Sequence, residues 1–271
     1  MKSLLWLVAA TVALTAASLA SAADLPLPTK APATQAVYNW TGFYVGANFG
    51  GGWSRSAVSG SATSALTGVG VFPETFAGNI NSSGVLGGGQ IGFNYEFPSN
   101  WVVGIEADID GSGIAGATNT CATILATGAV AACETSSSRL NDFGTVRGRA
   151  GYALNNVLLY GTGGLAWDQN SITHTATCVG AACPGASLPF VSNNPSLSSS
   201  AIGWAAGAGA EWAFFRNWTF RLEYLHLEFD GVTTNYTFTG IVAGFPFTTA
   251  SHISSNTGVD IVRVGVNYLF N

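Results

Sequence analysis

The feature that most constrains this chain is a recurrent alternation of period two whose ionisable residues keep to one parity. Successive side chains of a strand point to opposite faces, so the pattern describes a sheet with one oily and one polar face. From Trp101, residues Val103, Ile105, Ala107 and Ile109 alternate with Gly104, Glu106, Asp108 and Asp110. Val85, Ile91, Phe93, Tyr95 and Phe97 alternate with Gly88, Gln90, Gly92, Asn94 and Glu96, and Val146, Ala150 and Tyr152 with Arg147, Arg149 and Gly151. Trp218, Phe220, Leu222 and Tyr224 oppose Thr219, Arg221 and Glu223, while Val262, Val264, Val266, Tyr268 and Phe270 oppose Arg263, Gly265 and Asn267. Residues 43–49 repeat the alternation, and in residues 202–212 Ile202, Trp204 and Trp212 oppose Gly207, Gly209 and Glu211. Residues 157–167 are apolar on both parities, which leaves their facing open. These are eight segments, each about as long as a tilted strand needs to cross a bilayer.

The connections are sorted by length. Short ones fall at Pro98-Ser99-Asn100, Asn155-Asn156 and Phe215-Arg216-Asn217; long ones rich in Ser, Thr, Gly and Asn cover residues 55–83, 111–139, 169–200 and 230–257. Four long loops and three short turns are what a barrel of eight strands requires when both of its ends lie in the periplasm. A soluble sandwich has no reason to sort its loops in this way. The expected fold is therefore all-β, an eight-stranded antiparallel transmembrane barrel occupying residues 39–271, with long extracellular loops and short periplasmic turns.

Composition agrees with lipid on the outer face. Charged residues make up only 8% of the chain against about a quarter in soluble domains, yet no segment after the first residues has the apolar run of a membrane helix. A net charge of −5 speaks against nucleic acid as a partner, since that needs a basic surface. An Arg on the lipid face costs roughly 2–4 kcal/mol near the midplane. Arg147, Arg149, Arg221 and Arg263, with Glu96, Glu106, Asp108, Glu211 and Glu223, are therefore expected to point into the lumen and to pair there as a charge network. Glycines on the same parity, such as Gly46, Gly88, Gly104 and Gly265, leave them room. A barrel this narrow is filled by its own side chains, so the expected lumen is plugged. Trp40, Trp53, Trp101, Trp167, Trp204, Trp212 and Trp218 lie near strand ends, where aromatic rings gather at headgroup level.

The ends and the cysteines place the chain in the envelope. Lys2, the apolar stretch 4–19 and Ala20-Ser21-Ala22 read as a signal peptide, residues 1–22, with a mature chain starting near Ala23. Residues 23–38 read as a Pro-rich periplasmic leader too poor in apolar residues to pack. Cys121 and Cys133 share one long loop and Cys178 and Cys183 another; pairing within each loop is the simplest of three connectivities, all open to the sequence. Zinc is the competing use, but no His or Cys stands nearby at ligand spacing.

Several stretches carry a family resemblance. Trp40-Thr41-Gly42-Phe43-Tyr44-Val45-Gly46, Gly87-Gly88-Gly89-Gln90-Ile91-Gly92-Phe93-Asn94-Tyr95, Gly104-Ile105-Glu106-Ala107-Asp108, Gly144-Thr145-Val146-Arg147-Gly148-Arg149-Ala150-Gly151-Tyr152, Gly163-Gly164-Leu165-Ala166, Glu223-Tyr224 and Val262-Arg263-Val264-Gly265-Val266-Asn267-Tyr268 occur in this order. In them the chain resembles the alphaproteobacterial outer-membrane immunogenic proteins, small porin-family or OmpA-type barrels. The resemblance implies an integral outer-membrane protein with loops at the cell surface, often antigenic, with no family-wide catalytic residues and no cofactor. It departs from the usual pattern in ending on Asn271 after Phe270, which bears on recognition by the barrel-insertion machinery.

Enzymatic and cofactor motifs are weak. Gly87-Gly88-Gly89-Gln90-Ile91-Gly92 matches a dinucleotide pattern but lacks the helix that pattern must open. His252 and Ser254 have the spacing of a base and nucleophile, and His226 lies two residues from Glu228, without an evident orienting acid or metal-ligand cluster. The leading expectation is a non-enzymatic structural or surface-interaction barrel. Its partners would be outer-membrane lipid, lipopolysaccharide, the cell wall or host molecules. The alternatives are a surface protein binding haem or another ligand through His174, His226 or His252, and a narrow diffusion pore.

Overall fold

The structure, a computed structural model, describes residues 38–66, 68, 70–123, 130–178, 197–242 and 245–270. The proposed signal peptide, nearly all of the leader, Cys183 and Asn271 lie outside them. Eight strands follow one another: β1 (Gly42–Leu66), β2 (Gly70–Glu96), β3 (Trp101–Thr123), β4 (Val130–Leu154), β5 (Val157–Cys178), β6 (Leu197–Phe215), β7 (Trp218–Val242) and β8 (Phe245–Phe270). Each pairs antiparallel with its neighbour in sequence, and β8 returns to β1 to close the barrel.

The tight turns set this meander. Asn100, Asn155 and Arg216 have positive φ, a region Asn enters at little cost and Arg does not. At each turn a carbonyl is reused by the adjoining strand: Asn100 O accepts from Ala153 N, Asn156 O from Ala213 N and Asn217 O from Leu269 N, all at 2.8 Å. The register between hairpins is thus locked at the end where the turns are short.

Outward faces carry Phe43, Val45, Ile91, Ile105, Ile109, Leu165 and Leu222, all largely exposed. No soluble domain displays such a band around its whole girth. In β5 the register resolves the facing left open by the sequence: Leu158, Tyr160 and Ala166 point inward, Leu159, Leu165 and Trp167 outward.

The strands run far past the membrane, to 19–27 residues where about 10 suffice. The long connections lie where expected, but they are built largely as strand: most of residues 55–83, 111–139 and 230–257 continue the ladders, and strand also occupies the flanks of the connection at 169–200. Pairing of β1 with β2 and β8 persists to Leu66, opposite Gly70 and Phe247, and β7 pairs with β8 to Val242. Pairing of β3 with β4 persists to Thr123 and that of β4 with β5 to Cys178. By contrast the described pairing of β2 with β3 ends at Ser83, and that of β6 with β7 at Gly203. Above the closed barrel the sheet thus divides into a four-strand wall, β7-β8-β1-β2, and a second wall, β3-β4-β5, which β6 joins through the pairing of Leu197 to Ile202 with β5. Backbone hydrogen bonding carries these walls, whose sequence shows no apolar–polar alternation.

Candidate functional site: the lumen and the outer rim

Inward side chains line the lumen in three layers. Nearest the short turns lies an apolar layer of Trp40, Val102, Ala153, Leu158, Tyr160 and Ala213. Further along each strand come the charged residues. Beyond them a second apolar layer gathers Leu86, Ile114, Leu140, Phe143, Leu225, Leu227, Phe229, Val259 and Ile261.

In the middle layer no charged side chain is more than 4% exposed as a residue. Arg147 reaches Glu106 Oε1 at 2.6 Å, Asp108 Oδ2 at 2.7 Å and Glu223 Oε1 at 3.2 Å. Arg263 bridges Asp108 Oδ2 at 2.8 Å, Asp110 Oδ2 at 2.7 Å and Glu223 Oε2 at 2.7 Å. Arg221 pairs with Glu106 Oε2, and Arg149 with Glu211 Oε2 at 3.2 Å. Burying lone charges costs several kcal/mol each, so these groups hold one another in place. The register brings them together: Glu106 stands opposite Arg147, Glu211 opposite Arg221, and Glu223 opposite Arg263.

Glu96 does not join them, which corrects the expectation. Its parity is inward, but it stands at the turn end of β2, where its Oε2 accepts Trp40 N at 2.9 Å. Trp40, expected at the membrane interface, is instead 1% exposed inside the barrel mouth. Asn48, Gln90, Asn94, Thr219 and Asn267 also point inward and bond to the network or to one another.

Sequence reasoning missed three contributors. Asp110 shares the inward parity of Asp108 and was legible there. Tyr44 and Tyr160 flank the Arg149 guanidinium with ring centroids at 4.9 and 5.0 Å. Their hydroxyls donate to Glu106 Oε2 at 2.6 Å and Glu223 Oε1 at 3.0 Å. Tyr44 shares the inward parity of Gly46 and Asn48, whereas Tyr160 lies where residues 157–167 are apolar on both parities, so only the register identifies it.

The exterior has a second cluster. Trp101, Trp212 and Trp218 face outward near the turns, and Trp53, Trp167 and Trp204 at the other end of the closed barrel. At the latter level Asp260 stands on β8 between its register partners Trp53 and His226. Asp260 Oδ1 accepts from the Tyr224 hydroxyl at 2.6 Å and from His226 Nδ1 at 2.8 Å. His226 also packs on Trp204 at 5.4 Å, with its Nε2 3.6 Å from Glu228. These outward ionisable residues stand at headgroup level, where water or local donors make a carboxylate tolerable.

The histidines do not converge. His226 stands opposite Asp260 and His252 opposite Asn235, eight residues apart on β8 and so roughly 26 Å, while His174 lies in the β4–β5 ladder opposite Ser136. His252 Nδ1 is held by Asn235 Oδ1 at 2.6 Å. Among the described residues no cluster could ligate a metal. Cys121 and Cys133 are register partners, whereas Cys178 stands opposite Ala132, one residue out of phase with Cys133.

A closed antiparallel barrel with an aliphatic belt between two aromatic girdles is an integral protein of the bacterial outer membrane. The comparisons with known proteins make this specific. Residues 8–248 match the family model described as outer membrane protein beta-barrel domain, and the chain belongs to that family. It is 31% identical over 281 aligned positions to the 31 kDa outer-membrane immunogenic protein of Brucella melitensis biotype 1, covering 96% of this chain and 98% of the relative. The protein of the same name from Brucella suis biovar 1 is similar to the same extent. Among solved structures it is similar to the outer membrane protein OprG from Pseudomonas aeruginosa, at 11% identity and a TM-score of 0.36, covering 86% of this chain and 98% of that one.

Proposed function

We propose that this protein is a non-conducting, non-enzymatic structural barrel whose cell-surface end makes the functional contacts. The observation that carries the reading is the layered lumen, in which a charged middle without exposed side chains lies between two apolar layers. An ion crossing it would have to displace paired guanidiniums and then enter an apolar layer. On this reading the network is a plug that fixes the shape of the barrel, and the β-walls present a surface to lipopolysaccharide, the cell wall or host molecules. The outer rim supports contact with glycolipid headgroups, since Trp53, Trp204, Tyr224, His226 and Asp260 gather aromatic faces and polar groups at that level. The proposed processing is loss of residues 1–22, delivery of the barrel to the insertion machinery, and a periplasmic leader preceding β1.

Planar-bilayer recording with purified monomer tests the reading. The expected trace is flat, apart from rare openings that do not scale with protein added. Steady unit conductance proportional to the number of inserted monomers would overturn it in favour of a diffusion pore.

A further inference from the structure

The charged layer does not balance. It holds four guanidiniums, Arg147, Arg149, Arg221 and Arg263, against five carboxylates, Glu106, Asp108, Asp110, Glu211 and Glu223, which leaves one negative charge in excess when all are ionised. A single uncompensated charge in so dry a space is costly enough that a carboxylate binds a proton instead.

The amides of the lumen identify which one. Asn267 Nδ2 donates to Glu211 Oε1 at 2.8 Å, Gln90 Nε2 donates to Asn267 Oδ1 at 2.7 Å, and Asn48 Nδ2 donates to Gln90 Oε1 at 2.9 Å. Every amide in the chain therefore donates toward Glu211. That direction suits an ionised Glu211, which also accepts from the Thr219 hydroxyl and pairs with Arg149. At the far end the chain finishes on an acceptor, Asn48 Oδ1, which is buried without a partner in the structure. Across the ladder Asn48 stands opposite Gly88, and Gly88 opposite Asp110. With no side chain between them, Asn48 and Asp110 face each other over the glycine. Asp110 Oδ1 is likewise buried without a partner. The two side chains interact across the barrel, and each carries one buried acceptor that no donor reaches.

We infer that Asp110 is a proton-binding site, holding the excess proton on Oδ1 and donating it to Asn48 Oδ1. Asp108, whose Oδ1 is also buried without a partner, is the weaker candidate, because its Oδ2 is shared by Arg147 and Arg263 at 2.7 and 2.8 Å whereas Asp110 pairs with Arg263 alone. Asp110 faces Arg263 from β8 and Asn48 from β1, with Asp108 beside it on β3 and Arg221 near from β7. Reversing all three amides would move the proton to Glu211 and leave Asp110 charged, so the chain allows the proton one end or the other.

Folding then takes up one proton that the unfolded chain releases at neutral pH. The folded state binds more protons, so its stability falls as pH rises. The test is urea unfolding of the detergent-folded full-length barrel, wild type against D110N and D108N, at fixed ionic strength. Asn at position 110 reproduces a neutral donor, so D110N should match or exceed the wild type, while D108N should unfold at markedly lower urea. From roughly pH 4, the ordinary aspartate value, the wild-type folding constant should fall relative to D110N by up to about tenfold per pH unit, levelling off once Asp110 ionises in the folded barrel. Infrared spectra should show an un-ionised carboxylic acid carbonyl band in wild type that D110N lacks. The inference is overturned if D110N loses as much stability as D108N, if the two pH slopes coincide, or if the acid band survives in D110N. It is also overturned if exchanging sodium for choline changes wild-type stability, since a bound metal cation would then be the neutralising charge.

Discussion

Gly46 shows how closely the interior is fitted. A Cβ there would overlap Asn267 Oδ1, Gln90 Nε2 and the carbonyl of Val266, because the amide chain from β2 to β8 passes directly over this residue of β1. Gly46→Ala is expected to cost about 1–3 kcal/mol, read as a lower urea midpoint, while substitution at Gly89, where a Cβ would meet only a carbonyl at 3.5 Å, is expected to be nearly neutral. The network is equally sensitive to losing one partner. Arg147→Met removes a guanidinium shared by Glu106, Asp108 and Glu223, adding a further uncompensated negative charge to the layer, and should cost about 3–5 kcal/mol by the same measurement. In the other direction, Arg216 holds a left-handed backbone at φ 38, partly offset by its guanidinium over Phe215 at 5.9 Å. Arg216→Gly should therefore raise the midpoint, by about 1 kcal/mol or less.

The elements differ in how well the sequence announces them. Within the membrane each strand has lipid on one face and packed side chains on the other, so Trp101 to Asp110 alternates cleanly and the faces can be read directly. Beyond the girdles the ladders from Ser56–Thr257 to Leu66–Phe247 run largely through Ser, Thr, Gly and Ala without apolar–polar alternation, which is why they look like loops. The inward parity of Arg147, Arg149, Arg221 and Arg263 was legible from solvation cost alone. The height of Glu96, the inward turn of Trp40 and the place of Tyr160 were not, because they depend on register and on how the chain enters β1. The walls also bear on the cysteines. Directly opposed residues of an antiparallel pair have Cα atoms about 4.5–5.5 Å apart, inside the range a disulfide spans. Cys121 and Cys133 meet that condition, and Cys178 is out of phase with both. Peptide mapping of non-reduced protein should therefore yield a Cys121–Cys133 crosslink and no Cys121–Cys178 or Cys133–Cys178 peptide; a mixed pattern would show that the β3–β4 register differs at this end.

At the scale of the whole molecule, closure of the sheet turns local parity into an oriented object with an inside, an outside and a membrane level. The decisive property is that identical exposure has different meaning at different heights. Ile105, 66% exposed, lies four residues above Trp101 in the middle of the aliphatic belt, and Val71, 65% exposed, lies on β2 in the wall beyond the girdles. If water surrounded both, replacing either with Arg would be close to neutral. With lipid around the belt, Ile105→Arg should cost roughly 2–4 kcal/mol and Val71→Arg about 0–1 kcal/mol. Reversible urea unfolding in phospholipid vesicles measures the difference, since the reference state leaves the bilayer. Repeating it with Ile202→Arg, whose exposed side chain lies on β6 near the level of Trp167, should give an intermediate cost, because the guanidinium there can reach the headgroups. Equal costs at Ile105 and Val71 would mean that the belt does not meet hydrocarbon, and the orientation of the barrel would have to be redrawn.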